Sequence, residues 1–282
     1  MSDLSVLLHG QPRFTVFGEQ LGVPLRYVFM AAAIGRVASR RSTPLRVLEV
    51  GSWVGASAAT WSEAMGHYHP PGGTICCVDP WAPYEVENEF HNQDFMQKYR
   101  HALESDLAYR LFRHNVTLLP HAVVSMRGRS TEILPALRDA SFDLVYIDGD
   151  HAYDSCRFDI VEGIRLVAPG GILCGDDLEL TLADADPDFV RANRNKQPAV
   201  DSQGRGFHPG VTLAVGEAFA EVGYYAGFWG VERHDGGFRP MTLEGQRGFL
   251  PSFFPPTARQ NVSEAMKRGG FPAGTVAARP GA

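Results

Sequence analysis

Short runs of apolar, β-branched and aromatic residues alternate along the chain with longer stretches in which apolar positions recur at helical spacing. Leu45–Val50, Thr74–Val78, Val123–Arg127, Phe142–Ile147 and Gly171–Cys174 are the short runs, and each reads as a buried strand. Helical spacing marks Pro24 to about Ser39, Ala56–Met65, much of Trp81 to Leu119, Ser130–Leu137 with Ser130 as N-cap, and Val211–Val222. Between the fourth and fifth runs, Tyr153, Ile160, Ile164 and Val167 share one helix face. Tyr224–Glu232 and Gly237–Met241, joined through His234-Asp235-Gly236-Gly237, read as a hairpin.

Strands alternating with helices predict an α/β fold: a doubly wound, mostly parallel seven-stranded sheet closed by an antiparallel terminal hairpin. The expected organisation is an N-terminal arm and helix over 1–44 serving as lid or oligomer contact, then a main domain over 45–248. That domain carries a polar surface excursion over 178–210, and a Pro-, Gly- and Ala-rich flexible tail follows over 249–282.

Parallel strands end on the same edge of a sheet, and open α/β sheets hold ligands there. Asp148 and His151 follow the fourth strand, and Asp176 and Asp177 follow the fifth, so acids from separate strands meet at that edge. Like charges gathered there need a cation, which suggests a metal with a base beside it. Leu48-Glu49-Val50-Gly51-Ser52-Trp53-Val54-Gly55-Ala56-Ser57 joins the first strand to the first helix as a Gly-rich turn. Such a turn presents backbone N–H groups to an anionic ligand. Its Gly-x-x-x-Gly spacing lacks the dinucleotide pattern, which weakens a dehydrogenase reading. Asp79, at the end of the second strand, is placed to hold ribose hydroxyls.

Composition narrows the field further. With 282 residues, 44% of them hydrophobic, the chain can bury a large core. A formal charge of -6 and a pI near 5.9 give no footprint for nucleic acid. Arg36–Arg46 contains the one small basic group, read as a solvated helix end. Cys76, Cys77, Cys156 and Cys174 show no CxxC spacing and read as buried thiols. Met1–Gly10 lacks a signal-peptide pattern, and no apolar run is long enough for a bilayer. A cytoplasmic protein acting on a small molecule, without a membrane partner and with scope for a homo-oligomer, is expected.

The ordered set Glu-x-Gly-x-x-x-Gly, an acid after the second strand and a terminal hairpin resembles the class I S-adenosylmethionine-dependent methyltransferases over roughly Leu45–Met241. By that resemblance, Glu49, Gly51, Ser52, Gly55, Ser57 and Asp79 bind S-adenosylmethionine, and Ser130 contacts its adenine. Asp148-Gly149-Asp150-His151-Ala152-Tyr153 with Asp176-Asp177 is similar to the metal-dependent sugar O-methyltransferases of macrolide tailoring, the macrocin and mycinamicin type. That subgroup includes cephalosporin hydroxylase-like proteins. The resemblance implies that Asp148, Asp176 and Asp177 ligate Mg²⁺ or another divalent cation, and that His151, beside Asp148, is the general base.

Implied too is a hydroxylated, glycosylated acceptor: a sugar on a natural product or a glycan. Carboxylates suit a hard cation, and an imidazole suits proton removal near neutrality. Asp150 is expected to cap the crossover helix, Tyr153 to pack on it or reach the site, Glu179 to join the metal's outer shell, and His208 to line the acceptor pocket. Trp53, Trp81, Tyr84 and Phe90 are candidate walls. His67, His69, His91, His114 and His121 lack zinc-like spacing. The rivals are a hydroxylase-like oxidoreductase component and a non-catalytic S-adenosylmethionine- or glycan-binding subunit. The first is weakened because no two-His-one-carboxylate group is evident in the sequence.

Overall fold

The computed structural model describes residues 10–15, 23–83, 93–269, 271 and 274–281. Most of the expected arm, together with Tyr84, Phe90 and His91, lies outside the described residues. Pro24 occupies the first turn of α1 (Pro24–Ala38), where its missing N–H and fixed φ cost nothing. Then follow β1 (Leu45–Val50), α2 (Ala56–Tyr68), β2 (Gly73–Asp79), α3 (Gln93–Glu104), α4 (Leu107–Thr117) and β3 (Ala122–Arg127). Next come α5 (Ser130–Ile133), β4 (Phe142–Ile147), α6 (Tyr153–Leu166) and β5 (Val167–Leu178).

The main sheet runs β3-β2-β1-β4-β5 in parallel. Val50 pairs with both Val78 and Ile147, and Ile147 pairs with Gly175. Four strands therefore finish level, which delivers Gly51, Asp79, Asp148 and Asp176 to one edge. Alternation along the strands builds two cores. Leu45, Val47, Leu144 and Tyr146 pack with α1 and α2, while Leu48, Val50, Val145 and Ile147 pack with α6 and with Val211, Ala214 and Val215 of a later helix.

The rest of the chain departs from the sequence expectation in instructive ways. The excursion is organised: α7 (Pro187–Ala192) and a small hairpin of β6 (Ala199–Val200) and β7 (Gly206–Phe207) share a cluster of Leu182, Val190 and Phe207 with Leu213 of α8 (Pro209–Ala218). Instead of a lone terminal hairpin there are β8 (Glu221–Tyr225), β9 (Gly227–His234) and β10 (Gly237–Pro240), with a turn at Ala226 splitting the first from the second. β9 lies antiparallel on β5, and β8 and β10 share its other side.

The flexible tail expected over 249–282 is also corrected. It forms α9 (Pro256–Gly269), and β11 (Thr275–Ala277) pairs with β8, so that among the described residues the sheet has nine strands rather than the expected seven. Spaced aromatics hidden in a Pro- and Gly-rich composition are the cause. Phe254 packs edge-on against Tyr27 at 5.1 Å, and Phe271 lies 5.7 Å from Phe29, so the segment covers the outer face of α1. The basic group is no solvated helix end. Arg36 and Arg40 both reach the buried Glu232, at 2.7 and 2.9 Å, and Arg41 and Arg46 flank the buried Asp143. Each buried acid thereby finds two cations, as burial of a charge demands.

Candidate functional site

The turn after β1 is wired to the end of β2 by backbone donors. Gly51 adopts φ +85° and donates to the Val78 carbonyl at 2.9 Å. The Ser52 and Trp53 N–H groups donate to Asp79 Oδ2 at 2.9 and 3.0 Å, and the Trp81 N–H donates to Oδ1 at 2.7 Å. Burial pushes the Asp79 carboxyl up, and those three N–H groups oppose the shift. Asp79 thus shapes the turn with both oxygens of its carboxylate. Trp53 and Trp81 both sit at positive φ, and the Trp81 indole N–H donates to the Trp53 carbonyl at 2.6 Å. Strained backbone held this firmly is typical of ligand sites.

A cavity of about 310 Å³ opens over this turn. Gly51, Ser52, Ser57, Asp79, Ser130 and Asp148 line it, so most of the expected cofactor residues share one space. Gly55 instead caps α2 at φ +89°. Glu49 does not line the cavity either: fully buried, it accepts from the Trp61 indole at 2.8 Å and is faced by the Ser52 and Ser57 hydroxyls. Burial pushes its carboxyl up to about 7. Trp53 stacks on Tyr99 at 4.5 Å as part of the wall.

At the β4 and β5 end the acids converge around two cations. Asp148 and Asp176 both meet Arg26 Nη1, at 3.4 and 2.5 Å. The Tyr146 hydroxyl donates to Asp148 Oδ2 at 3.0 Å. His151 Nε2 stands 3.0 Å from Asp177 Oδ2 and 3.6 Å from Asp148 Oδ1. Burial opposes the charge on Arg26 and on His151, yet the neighbouring carboxylates outweigh it and hold both well above their ordinary values. For Asp177, burial is overcome by His151, and the carboxyl falls below its ordinary value; burial pushes Asp176 up to about 7 against the pull of Arg26.

His208, just before α8, bonds through Nδ1 to Glu179 at 3.0 Å, and its ring lies 4.7 Å from that of His151. Asp150 does not cap α6 by its side chain. Ala152 is the N-cap, and the Asp150 carboxylate accepts from the Ala152 N–H, the Ser155 hydroxyl and the Gln197 amide. Tyr153 lies outside the cavity lining and donates to Glu217 at 2.5 Å.

Among the described residues, one set of three side chains brings ligand atoms all within 4.8 Å of one another: His151, Asp177 and His208. This is the two-His-one-carboxylate composition that the sequence did not make evident, because His208 arrives from the distant excursion. The three carboxylates Asp148, Asp176 and Asp177 converge more loosely, with Arg26 occupying the space between the first two. Their hard oxygen donors suit a divalent cation in chemical type, and a positive charge already stands among them.

Among the residues lining the cavity, Asp159 Oδ1 is buried without a hydrogen-bond partner. Sequence reasoning missed Arg26, Tyr27 and Asp159. Arg26 and Tyr27 sat in the N-terminal helix, which was read as a lid or oligomer contact. A signal for Asp159 was present, since it is an acid on the buried helix face of Cys156, Ile160 and Gly163.

Sheet order, strand-end cavity and Gly-rich turn define a Rossmann-like methyltransferase fold. Residues 48–178, from within β1 to the end of β5, match the family described as a methyltransferase domain. A 46-residue segment is 54% identical to a putative O-methyltransferase of Mycobacterium sp. (strain JLS), covering 16% of this chain and 20% of that protein. The same length is 48% identical to a putative O-methyltransferase of Mycobacterium avium (strain 104), with the same coverage. The matched segment thus spans about a fifth of these relatives' length. The solved structure of the O-methyltransferase NovP is similar over 74% of this chain and 79% of its own, with a TM-score of 0.50 at 17% identity. At that identity the likeness speaks to fold alone. Among the described residues no helix is long and apolar enough to cross a membrane.

Proposed function

We propose that the protein is an S-adenosylmethionine-dependent O-methyltransferase that methylates a sugar hydroxyl on a glycosylated natural product or glycan, assisted by Mg²⁺ or another divalent cation. The observation that supports this reading most is the continuity of the cavity. It runs from Ser130 and Asp79 past the Gly51–Ser57 turn to Asp148, beside His151. A nucleoside-bearing donor lying along the strand ends would present its sulfonium methyl toward that cluster.

In this reading the turn's backbone and the Ser52 and Ser57 hydroxyls hold the amino-acid end, with Glu49 behind them; Gly55 begins the helix that closes the turn. Asp79 holds ribose and Ser130 faces adenine. Methyl transfer then needs the acceptor oxygen held in line with the methyl carbon and its proton removed. His151 is the group placed to take that proton, oriented by Asp177 and Asp148. Against the effect of burial, Asp177 and Asp148 hold the His151 imidazole well above its ordinary value as the cluster stands. Asp148, Asp176 and Asp177 would hold the divalent cation, which would supply Lewis acidity toward a hydroxyl oxygen. A screen of hydroxylated sugars with labelled methyl donor, with and without EDTA, tests the proposal. His151→Ala should lower turnover about a hundredfold or more while leaving cofactor affinity intact.

A second reading is favoured by the His151, Asp177 and His208 grouping. Two imidazoles and one carboxylate suit a transition ion, as in a hydroxylase-like oxidoreductase. Oxidised rather than methylated product, lost on His208→Ala, would favour it.

A further inference from the structure

Gln197 is a buried polar residue that the proposed chemistry leaves unused. It lies in the excursion between α7 and β6, and it is 7% exposed. Its Oε1 accepts from the His151 backbone N–H at 3.2 Å, and its Nε2 donates to Asp150 Oδ1 at 2.6 Å. Among the described residues no backbone carbonyl accepts that His151 N–H. The same stretch grips the loop a second time, since the Arg194 carbonyl accepts from the Tyr153 N–H at 3.0 Å.

An amide can bridge these two neighbours because it carries a donor and an acceptor on one rigid plane. Only one of its two orientations satisfies both: oxygen toward the N–H, nitrogen toward the carboxylate. Asp150 fixes that orientation, for its carboxylate is itself anchored by the Ala152 N–H at 3.1 Å and the Ser155 hydroxyl at 2.8 Å. Holding the His151 N–H holds the planar peptide that precedes His151, and with it the direction in which the side chain leaves the backbone. The ring so directed stands 3.0 Å from Asp177 and 3.6 Å from Asp148, and Asp148, Gly149 and Asp150 line the cavity beside it.

Resting on the reading of His151 as general base, we propose that Gln197 is a positioning residue for methyl transfer. From 46 residues further along the chain, its amide sets the peptide before His151 and so aims the imidazole at the acceptor oxygen. Gln197 touches no reacting atom and acts through His151. The excursion is then part of the catalytic frame rather than a cover over it. Misplacing the base by about 1 Å costs on the order of a hundredfold in rate. The Gly51 turn and Asp79 are held by bonds of their own and do not depend on this clamp.

The test uses the full chain and two variants. Gln197→Met keeps the reach of the side chain without either bond, and Gln197→Asn keeps the amide one methylene too short. Amide hydrogen exchange at His151, read by NMR, should speed up about tenfold or more in Gln197→Met, because that N–H loses its acceptor. This arm needs no acceptor substrate. For the sugar that the wild type methylates in the labelled-donor screen, kcat should fall roughly ten- to a hundredfold, with acceptor KM and S-adenosylhomocysteine affinity within about threefold. Gln197→Asn should show the same split, and it decides should Gln197→Met fail to fold. Unchanged exchange at His151, unchanged kcat, or a loss of cofactor affinity equal to the loss of kcat would each overturn the assignment. If His151→Ala left the rate intact, the general-base reading itself would fall, an outcome distinct from a damaged His151→Ala beside an unaffected Gln197→Met.

Discussion

A Cβ added to Gly51 would lie 1.9 Å from the carbonyl oxygen of Asp148. The turn that opens the cofactor cavity and the strand end that begins the acidic cluster are thus in backbone contact, and no side chain fits between them. Gly51→Ala must also adopt φ near +85°. Strain and overlap together should cost about 4 kcal/mol or more, or prevent folding. A thermal melt and S-adenosylhomocysteine titration of the variant check this; native-like values in both would contradict it.

Glu49 makes stability depend on pH. Its folded carboxyl sits near 7 against an ordinary 4.5, so between those values the unfolded chain ionises while the folded protein keeps its proton. Below about 4.5 the group contributes nothing, and as pH rises toward and past 7 it withdraws up to about 3 kcal/mol of stability. Asp159, also pushed up to about 7, acts in the same sense. Denaturant melts at pH 5 and pH 8 should show the wild type losing more stability across that interval than Glu49→Gln. Parallel losses would remove Glu49 from the account.

Arg26 lies in the first turn of α1, where the helix dipole disfavours a cation, and is held there by Asp148 and Asp176. Arg26→Met leaves those carboxylates facing each other and should destabilise by roughly 2 kcal/mol, since the pair is partly exposed. Millimolar Mg²⁺ or Mn²⁺ should raise the melting temperature of the variant more than that of the parent, because a bound cation restores the missing charge. Equal shifts would show that the cation and Arg26 do not share the same acids.

Gly210 carries the excursion's contribution to the site. A Cβ there would lie 2.2 Å from the His151 carbonyl oxygen, so glycine lets α8 approach the turn after β4 and bring His208 beside His151. Gly210→Ala should therefore lower turnover at least tenfold by displacing this pair, with S-adenosylhomocysteine affinity within about threefold. A loss of cofactor affinity equal to the loss of turnover would locate the damage elsewhere.

What the sequence revealed and what it concealed divide along physical lines. β1 and β4 could be read almost to the residue because both faces of a central parallel strand are largely buried, which writes a mainly apolar run, broken by Arg46 and Glu49 in one and Asp143 in the other, ended by Gly51 or Asp148. β11 could not, because three residues form a strand only by joining the edge of β8. β8 was merged with its neighbours because Ala226, which turns the chain at φ +52°, is not a residue type that signals a turn. The acids of the site were visible at their strand ends. Arg26 was not, since an ion pair between a first-turn arginine and distant carboxylates leaves no local pattern, and His208 was read as a pocket residue without its place beside His151.

The most direct measurement is mass spectrometry of hydroxylated sugar acceptors incubated with the full chain and S-adenosylmethionine bearing a deuterated methyl group. The account predicts a deuteromethyl ether on one sugar hydroxyl, diminished about a hundredfold by His151→Ala and suppressed by EDTA. Tight S-adenosylhomocysteine binding without transfer to any hydroxyl, or transfer undiminished by both His151→Ala and EDTA, would contradict it.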